Sequence, residues 1–155
     1  MIKVVRAVGA GLLGGTAMEA WGFLTYQAGL TPLSMSRYEG GMVTGRLDDP
    51  GSRAAGIGAH MLLSAAIALP YAAIMDRTRR SGPAVGLQLG VLHWAVASLV
   101  LPGLDSLSPA VREGRAPALR SFASGYGSST AIMFLAGHLL YGAVVGAAYD
   151  PQGSE

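Results

Sequence analysis

The stretch "FLAGHLLYGAVVGAAYD", residues 134–150, is almost wholly apolar and yet contains one ionisable ring, that of His138. The uncharged run around it is longer still, because no Asp, Glu, Lys or Arg occurs between Ser121 and Tyr149. A helix needs roughly 20 apolar residues to cross a bilayer. A soluble helix of this length would carry a charged outer face, which this run lacks. We therefore predict a membrane-spanning helix near residues 128–149.

Three further windows share this pattern. Residues 54–75 and 81–104 contain no charged residue, and residues 7–30 contain one, Glu19. Because lipid cannot satisfy exposed backbone groups, each window predicts a helix. The sequence thus predicts an all-α fold, a polytopic membrane four-helix bundle that forms one domain over residues 1–155. The predicted spans lie near residues 5–29, 55–75, 84–103 and 128–149, and long outer loops cover residues 30–54 and 104–127.

The composition excludes several classes of site. Hydrophobic residues make up 51% of the chain and charged residues 13%, and cysteine is absent, so the chain has no disulfide, CxxC zinc site or thiol nucleophile. The basic residues are scattered and form no surface for nucleic acid. The segment "GAGLLG" matches GxGxxG, but it continues into an apolar helix and lacks the strand–turn–helix context of a nucleotide site. With no Ser-His-Asp or paired-carboxylate pattern, an enzyme is not favoured.

Basic residues at the ends of the spans indicate an orientation. Lys3 and Arg6 precede the first span, and Arg77, Arg79 and Arg80 occupy the short loop between the second and third spans. Cytoplasmic segments are enriched in Lys and Arg close to span ends. We therefore predict cytoplasmic N- and C-termini in a bacterial inner membrane, the bacterial origin being suggested by the excess of Arg over Lys.

Two segments resemble each other across the chain. "HMLLSAAIALPY" begins at His60 and "HLLYGAVVGAAY" begins at His138, and both place a histidine first and a tyrosine last. Repeats related by an axis along the membrane normal occur in membrane proteins. The pattern predicts a duplicated helical hairpin, in which the first two spans match the last two.

Each predicted span carries one main ionisable residue, namely Glu19, His60, His93 and His138. Glycine or serine recurs near each of them at helical spacing, and small residues let membrane helices pack closely. The four ionisable side chains are therefore expected to point into the bundle and to converge in one layer.

Three uses of such a cluster are open. Three imidazoles and a carboxylate form a suitable ligand set for zinc, iron or copper, so Glu19, His60, His93 and His138 are candidate metal ligands. His60 and His138, at equivalent repeat positions, are candidate axial ligands of a haem. The same residues would also serve as a proton path or as polar contacts that hold the helices together.

Three segments resemble a known group of proteins. "GHLLYGAVVGAAYD" is similar to the last helix of small bacterial four-helix integral membrane proteins of unknown function, "LHWAVASLVLPG" to their third span and "GLLGGTAMEAWG" to their first. The resemblance implies the four-span fold and offers His138, Gly142 and Gly146 as motif positions. It implies no chemistry.

Three functions follow as expectations. In the first, the bundle is a module that binds a metal or haem through its Glu and His residues. In the second, the chain is a non-catalytic accessory subunit of a larger membrane complex, with histidines as helix contacts or pigment ligands. The third is a small proton-coupled transporter that acts as a dimer. The lipid bilayer is the expected environment, and a second copy or a complex subunit is the expected partner.

Overall fold

The computed structural model describes residues 3–152, and helices account for most of that part of the chain. No strand occurs within those residues, which confirms the all-α prediction. The helices are α1 (Val4–Gln27), α2 (Met35–Thr44), α3 (Pro50–Thr78), α4 (Pro83–Leu107), α5 (Pro109–Arg112) and α6 (Ser128–Ala148), with a 3₁₀ segment at Ser121–Tyr126.

Three of the described helices, α3, α4 and α6, are long and apolar enough to cross a membrane. They correspond to the second, third and fourth predicted spans, and they indicate a membrane protein. α1 matches the first predicted span in position and has 24 residues, but it is not among the three. Arg6, Glu19 and several glycines lower its mean hydropathy.

α3 and α4 extend beyond the predicted spans, and the predicted loops contain short helical segments, for local reasons. α3 begins at Pro50, inside the predicted outer loop, because the Asp49 carboxylate accepts a hydrogen bond from the Gly51 amide at 3.3 Å and caps the helix. α4 continues through Pro102 to Leu107. A proline inside a helix removes one hydrogen bond and bends the helix without having to end it. The two long loops also contain α2, α5 and the 3₁₀ segment.

The four long helices pack in the order α3, α1, α6, α4. α1 lies between α3 and α6 and contacts both, and α4 packs against α6. α2 packs against α3 near the end that carries the long loops. α3 and α4, the two outermost helices of this row, have few close backbone contacts within the described chain, and the rings of Tyr71 and His93 meet between them at 6.0 Å. Beyond that ring contact the row is open on one side.

Small residues set the closest helix contacts. In the α4–α6 pair, a Cβ added to Gly90 would lie 2.7 Å from the His138 carbonyl oxygen, and Gly86 and Gly142 would each meet the other's backbone. In the α1–α3 pair, a Cβ on Gly15 would lie 2.5 Å from the Ser64 hydroxyl. These contacts confirm that the small residues of the predicted spans lie at helix interfaces.

The internal repeat is only partly reflected in the packing. α1–α3 and α4–α6 are both closely packed pairs, as a duplicated hairpin requires. A two-fold axis would also relate the α1–α6 contact to an α3–α4 contact. The first of these is extensive and the second is nearly missing among the described residues. The duplication itself stays a prediction. The cleft between α3 and α4 is where the helix packing departs from a two-fold arrangement.

Two buried apolar clusters lie toward opposite ends of the long helices. The cluster near the chain termini includes Tyr71, Met75 and Tyr141, and the cluster near the long loops includes Leu101 and Phe134. The rings of His93 and His138 join them, because His93 contacts Tyr141 and His138 contacts Phe134. The imidazoles therefore occupy the layer between the two apolar clusters.

Replacing Gly142 with alanine should destabilise the protein. The new methyl group would meet the Gly86 backbone, which yields only if α4 and α6 separate. We expect a loss of about 1–3 kcal/mol in the free energy of unfolding, as for other overpacked interfaces. Gly103→Ala on α4 is the control, since no described atom lies within 4 Å of its added Cβ. Thermal unfolding in mild detergent measures both variants, and equal stability of the two would contradict the packing described.

Candidate functional site

A cleft of about 320 Å³ lies between α3 and α4. Its back wall is formed mainly by α6, whose Tyr141 hydroxyl donates a hydrogen bond of 2.6 Å to the Ser64 carbonyl oxygen of α3. The rim residues Leu63, Val96 and Val100 are each about half exposed. Most of the lining is apolar, and the ionisable side chains that reach the cleft are Glu39, His60, His93 and His138.

His93 and His138 form a pair of imidazoles at the back of the cleft. Their ring centroids lie 4.6 Å apart and their planes meet at 69°. Nδ1 of His138 lies 2.8 Å from the Phe134 carbonyl oxygen, and a carbonyl only accepts, so Nδ1 carries the hydrogen. In the neutral ring, Nε2 is then the acceptor. Nδ1 of His93 is buried without a hydrogen-bond partner in the described part of the chain.

His60 and Glu39 form a second pair on the side of the cleft nearest the long loops. Nδ1 of His60 lies 3.2 Å from Oε1 of Glu39, and their side chains are 7% and 13% exposed. Glu39 on α2 lies this close to α3 because glycines on both helices leave no side chain in the contact. A Cβ on Gly40 would meet the Ser52 backbone, and a Cβ on Gly56 would meet the Ser36 backbone.

Glu39 is a site residue that the sequence analysis missed, because residues 30–54 were assigned to an outer loop. The pair Gly40–Gly41 directly after Glu39, together with Gly56 four residues before His60, could have indicated it. Small residues at that spacing are typical of closely packed helices. Burial raises the pKa of the Glu39 carboxyl, and the hydrogen bond to His60 opposes this effect.

Glu19 lies apart from the histidine pair. It lines a smaller pocket of about 40 Å³ with His60 and the threonines Thr25, Thr31 and Thr130. Its Oε2 is buried and has no hydrogen-bond partner among residues 3–152. The Glu19 carboxylate is close enough to His60 to interact with it electrostatically.

The structure divides the four predicted site residues into two groups. His93 and His138 meet edge to face at the back of the cleft, whereas His60 pairs with Glu39 and shares the small pocket with Glu19. Among residues 3–152, no three or more His, Asp or Glu side chains are placed to hold one metal ion. The single four-residue ligand set expected from the sequence is therefore not formed.

Asp105 forms hydrogen bonds with the segments that cover the cleft. Its carboxylate accepts hydrogen bonds from the Tyr38 hydroxyl at 2.7 Å, the Leu119 amide at 2.8 Å and the Arg120 amide at 2.7 Å. These bonds join α2 and the segment before the 3₁₀ turn to α4. Burial raises the pKa of Tyr38, and the hydrogen bond to Asp105 raises it further. The same bonds hold Arg120 at a φ of 58°, which is costly for a residue with a side chain.

No family model matches this chain, and neither a curated protein nor a solved structure matches it. The resemblance to small bacterial four-helix membrane proteins therefore depends on the quoted segments alone.

Replacing Asp105 with alanine should loosen the cover of the cleft. Two buried donors, the Tyr38 hydroxyl and the Leu119 amide, and the part-buried Arg120 amide would lose their acceptor, and each buried loss costs about 1–3 kcal/mol. We expect a free energy of unfolding lower by at least about 2 kcal/mol and faster proteolysis after Arg112, Arg115 and Arg120. Asp48→Ala is the matched control, because the Asp48 side chain is 67% exposed in its ion pairs with Arg37 and Arg53. Surface pairs of this kind contribute about 0–1 kcal/mol. Equal unfolding of the two variants would show that Asp105 does not hold the cover in place.

Proposed function

We propose that the chain is a four-span protein of the bacterial inner membrane, in which α1 spans the membrane together with α3, α4 and α6. α1 lies between α3 and α6, which are both long and apolar enough to cross a membrane. Hydrogen bonds join α1 to α6 near one end through Trp21 Nε1 and the Met133 carbonyl oxygen, at 3.0 Å. The Lys3 amide, just before α1, bonds the Tyr149 hydroxyl at 3.4 Å near the other end. A helix held between two spanning helices along its length shares their depth.

The proposed orientation follows from the connections between helices. Lys3, Tyr149 and the short α3–α4 connection lie at one end of the long helices, where the Tyr149 hydroxyl donates a hydrogen bond to Asp76 at 2.8 Å. That connection carries Arg79 and Arg80. An excess of basic residues near span ends favours the cytoplasmic side. The cover formed by α2 and the 3₁₀ segment would then face the periplasm.

The function we propose is binding of a small, mainly apolar molecule in the cleft between α3 and α4. The observation that carries this proposal is the lining of the cleft, which is apolar except for a few converging polar groups. Such a lining is typical of ligand sites in proteins. A volume of about 320 Å³ lies at the small end of their range, about 300–1,000 Å³. The site therefore suits a single-chain or single-ring molecule.

The imidazole pair indicates the polar end of such a ligand. The Nε2 acceptor of His138 suits a hydroxyl donor, and the Nδ1 of His93, buried with no described partner, offers a second donor or acceptor. A lipid-soluble alcohol or a similar molecule with one hydroxyl group would satisfy both nitrogens. Access from the bilayer is supported by the half-exposed rim at Leu63, Val96 and Val100.

The expectations of a metal or haem module, an accessory subunit and a dimeric transporter stay predictions. The missing three-ligand group in residues 3–152 gives the metal hypothesis no geometric support. Metal analysis and an absorption spectrum of natively purified protein test it directly. The molecular mass in mild detergent tests for a second copy or a co-purifying subunit.

Labelling with a photoactivatable long-chain alcohol, in lipid vesicles, tests the cleft. We expect cross-links at cleft residues of α3 and α4, mapped by mass spectrometry. Val96→Trp should abolish most of this labelling, because an indole at the rim would fill the opening. Val91→Trp is the control. Val91 lies on the same helix with a similar exposed fraction, 48% against 54%, but does not line the cleft.

Two results would count against a ligand cleft. Labelling spread evenly over all lipid-facing residues would show that the cleft has no preference for the alcohol. Equal labelling of the Val96→Trp and Val91→Trp proteins would show that the labelled position lies elsewhere. Retained helical content in both variants, measured by circular dichroism, confirms that any loss is local.

A further inference from the structure

His60 separates two cavities. Its ring lines the cleft between α3 and α4 and also the pocket of about 40 Å³ beside α1. Of its two acidic neighbours, Glu39 lines the cleft and Glu19 lines the small pocket. The three residues come from three helices, α1, α2 and α3. They form a row, Glu19–His60–Glu39, that leads from one cavity to the other.

The row contains three buried polar atoms that the fold leaves unsatisfied. Oε2 of Glu19, Oε2 of Glu39 and Nε2 of His60 have no hydrogen-bond partner among the described side chains and backbone groups. The Gly15 backbone on α1 lies close to the His60 ring. The His60 residue is only 6% exposed, so bulk water does not solvate this nitrogen. Leaving such an atom without a partner costs about 1–3 kcal/mol.

The small pocket has room for water and a few polar groups in a mainly apolar lining. One buried water needs a cavity of about 10–15 Å³ and two to four polar partners. The pocket provides about 40 Å³. Thr25, Thr31 and Thr130 line it together with Glu19 and His60, and the threonine hydroxyls already hydrogen-bond the backbone or each other. Water held there would bond Glu19 Oε2 on one side and His60 Nε2 on the other once these two buried atoms turn toward the pocket.

We propose that Glu19, His60 and Glu39 form a proton-exchange chain between the small pocket and the cleft. A proton leaves the Glu19 carboxyl, passes through pocket water and binds Nε2 of His60, which makes the ring an imidazolium. The Nδ1 proton then passes to the Glu39 carboxylate across the 3.2 Å contact, and the ring is neutral again. The net change is one proton lost by Glu19 and one gained by Glu39, and the reverse transfer restores the start.

The groups around His60 act in both directions. The carboxylates of Glu39 on α2 and Glu19 on α1 favour the imidazolium, whereas burial of the ring and repulsion by the rings of His93 on α4 and His138 on α6, when protonated, oppose it. Because burial raises the pKa of Glu39, that carboxyl accepts a proton more readily than an exposed glutamate does.

The proton-exchange chain does not depend on what occupies the cleft. Its consequence for the cleft is that Glu39 places an exchangeable proton beside any bound molecule. Binding of a molecule that takes or gives a proton would then be coupled to the water-filled pocket.

Nitrogen NMR of ¹⁵N-histidine protein in lipid bilayers tests the proposal, because the chain has only three histidines. Glu39→Gln should change the ¹⁵N shift of His60 mainly at Nδ1, and Glu19→Gln should change it mainly at Nε2. Glu19→Gln should also slow hydrogen exchange at the His60 ring roughly tenfold or more, since the proton donor is lost. Glu113→Gln is the control, as the Glu113 side chain is 62% exposed and pairs with Arg115.

Unchanged signals of His93 and His138 show that each variant is folded. Should Glu19→Gln fail this check, Glu19→Asp keeps the charge, shortens the reach by one methylene and should slow the exchange in the same way. An unchanged Nε2 shift in the Glu19 variants would remove Glu19 from the chain. A changed shift with normal exchange would overturn proton transfer, because it would reveal an electrostatic contact only.

Discussion

The structure depends on how closely glycine-bearing helices approach one another. Gly86 and Gly90 on α4 lie against Gly142 and the backbone of α6, where no side chain would fit. In the same way Gly11 and Gly15 on α1 lie against α3. Without a hydrophobic driving force between helices in lipid, close backbone packing is a main source of association. These contacts fix two tight pairs and leave α3 and α4 apart, so the cleft is a consequence of where the glycines are.

The polar residues follow from the same packing. An unsatisfied polar group in an apolar interior is costly, and most buried groups therefore find a partner. His138 bonds the Phe134 carbonyl oxygen, His60 bonds Glu39, and Asp105 accepts three hydrogen bonds. The unsatisfied atoms of Glu19, Glu39, His60 and His93 belong to side chains that line the cleft or the small pocket, whereas those of Tyr71, Trp94, Ser98 and Ser108 do not. The unsatisfied atoms beside the two cavities are the basis of both the ligand cleft and the proton-exchange chain.

Windows with at most one charged residue were enough to predict where the long helices lie, because lipid excludes charged side chains. Three of the predicted spans are long and apolar enough to cross a membrane in the structure. The ends were harder to predict, because Asp49 extends α3 and Pro102 does not stop α4.

The site was only partly predictable from the sequence. Helices that are apolar all round carry no periodic pattern to say which face meets which neighbour. The gap between α3 and α4 and the separation of Glu19 from His138 could therefore not be predicted. Glu39 was missed because α2 lies in a polar, glycine-rich segment that is typical of a loop.

The central claim is that the cleft between α3 and α4 opens to the bilayer. Electron paramagnetic resonance of a spin label at Val96→Cys tests it directly, since the chain has no native cysteine. In lipid bilayers we predict strong relaxation by oxygen, which concentrates in lipid, and weak relaxation by a water-soluble nickel complex. The opposite pattern would show a water-filled cleft. Protection from both reagents would show that α3 and α4 are closed against each other, and either result would contradict a cleft that is open to lipid.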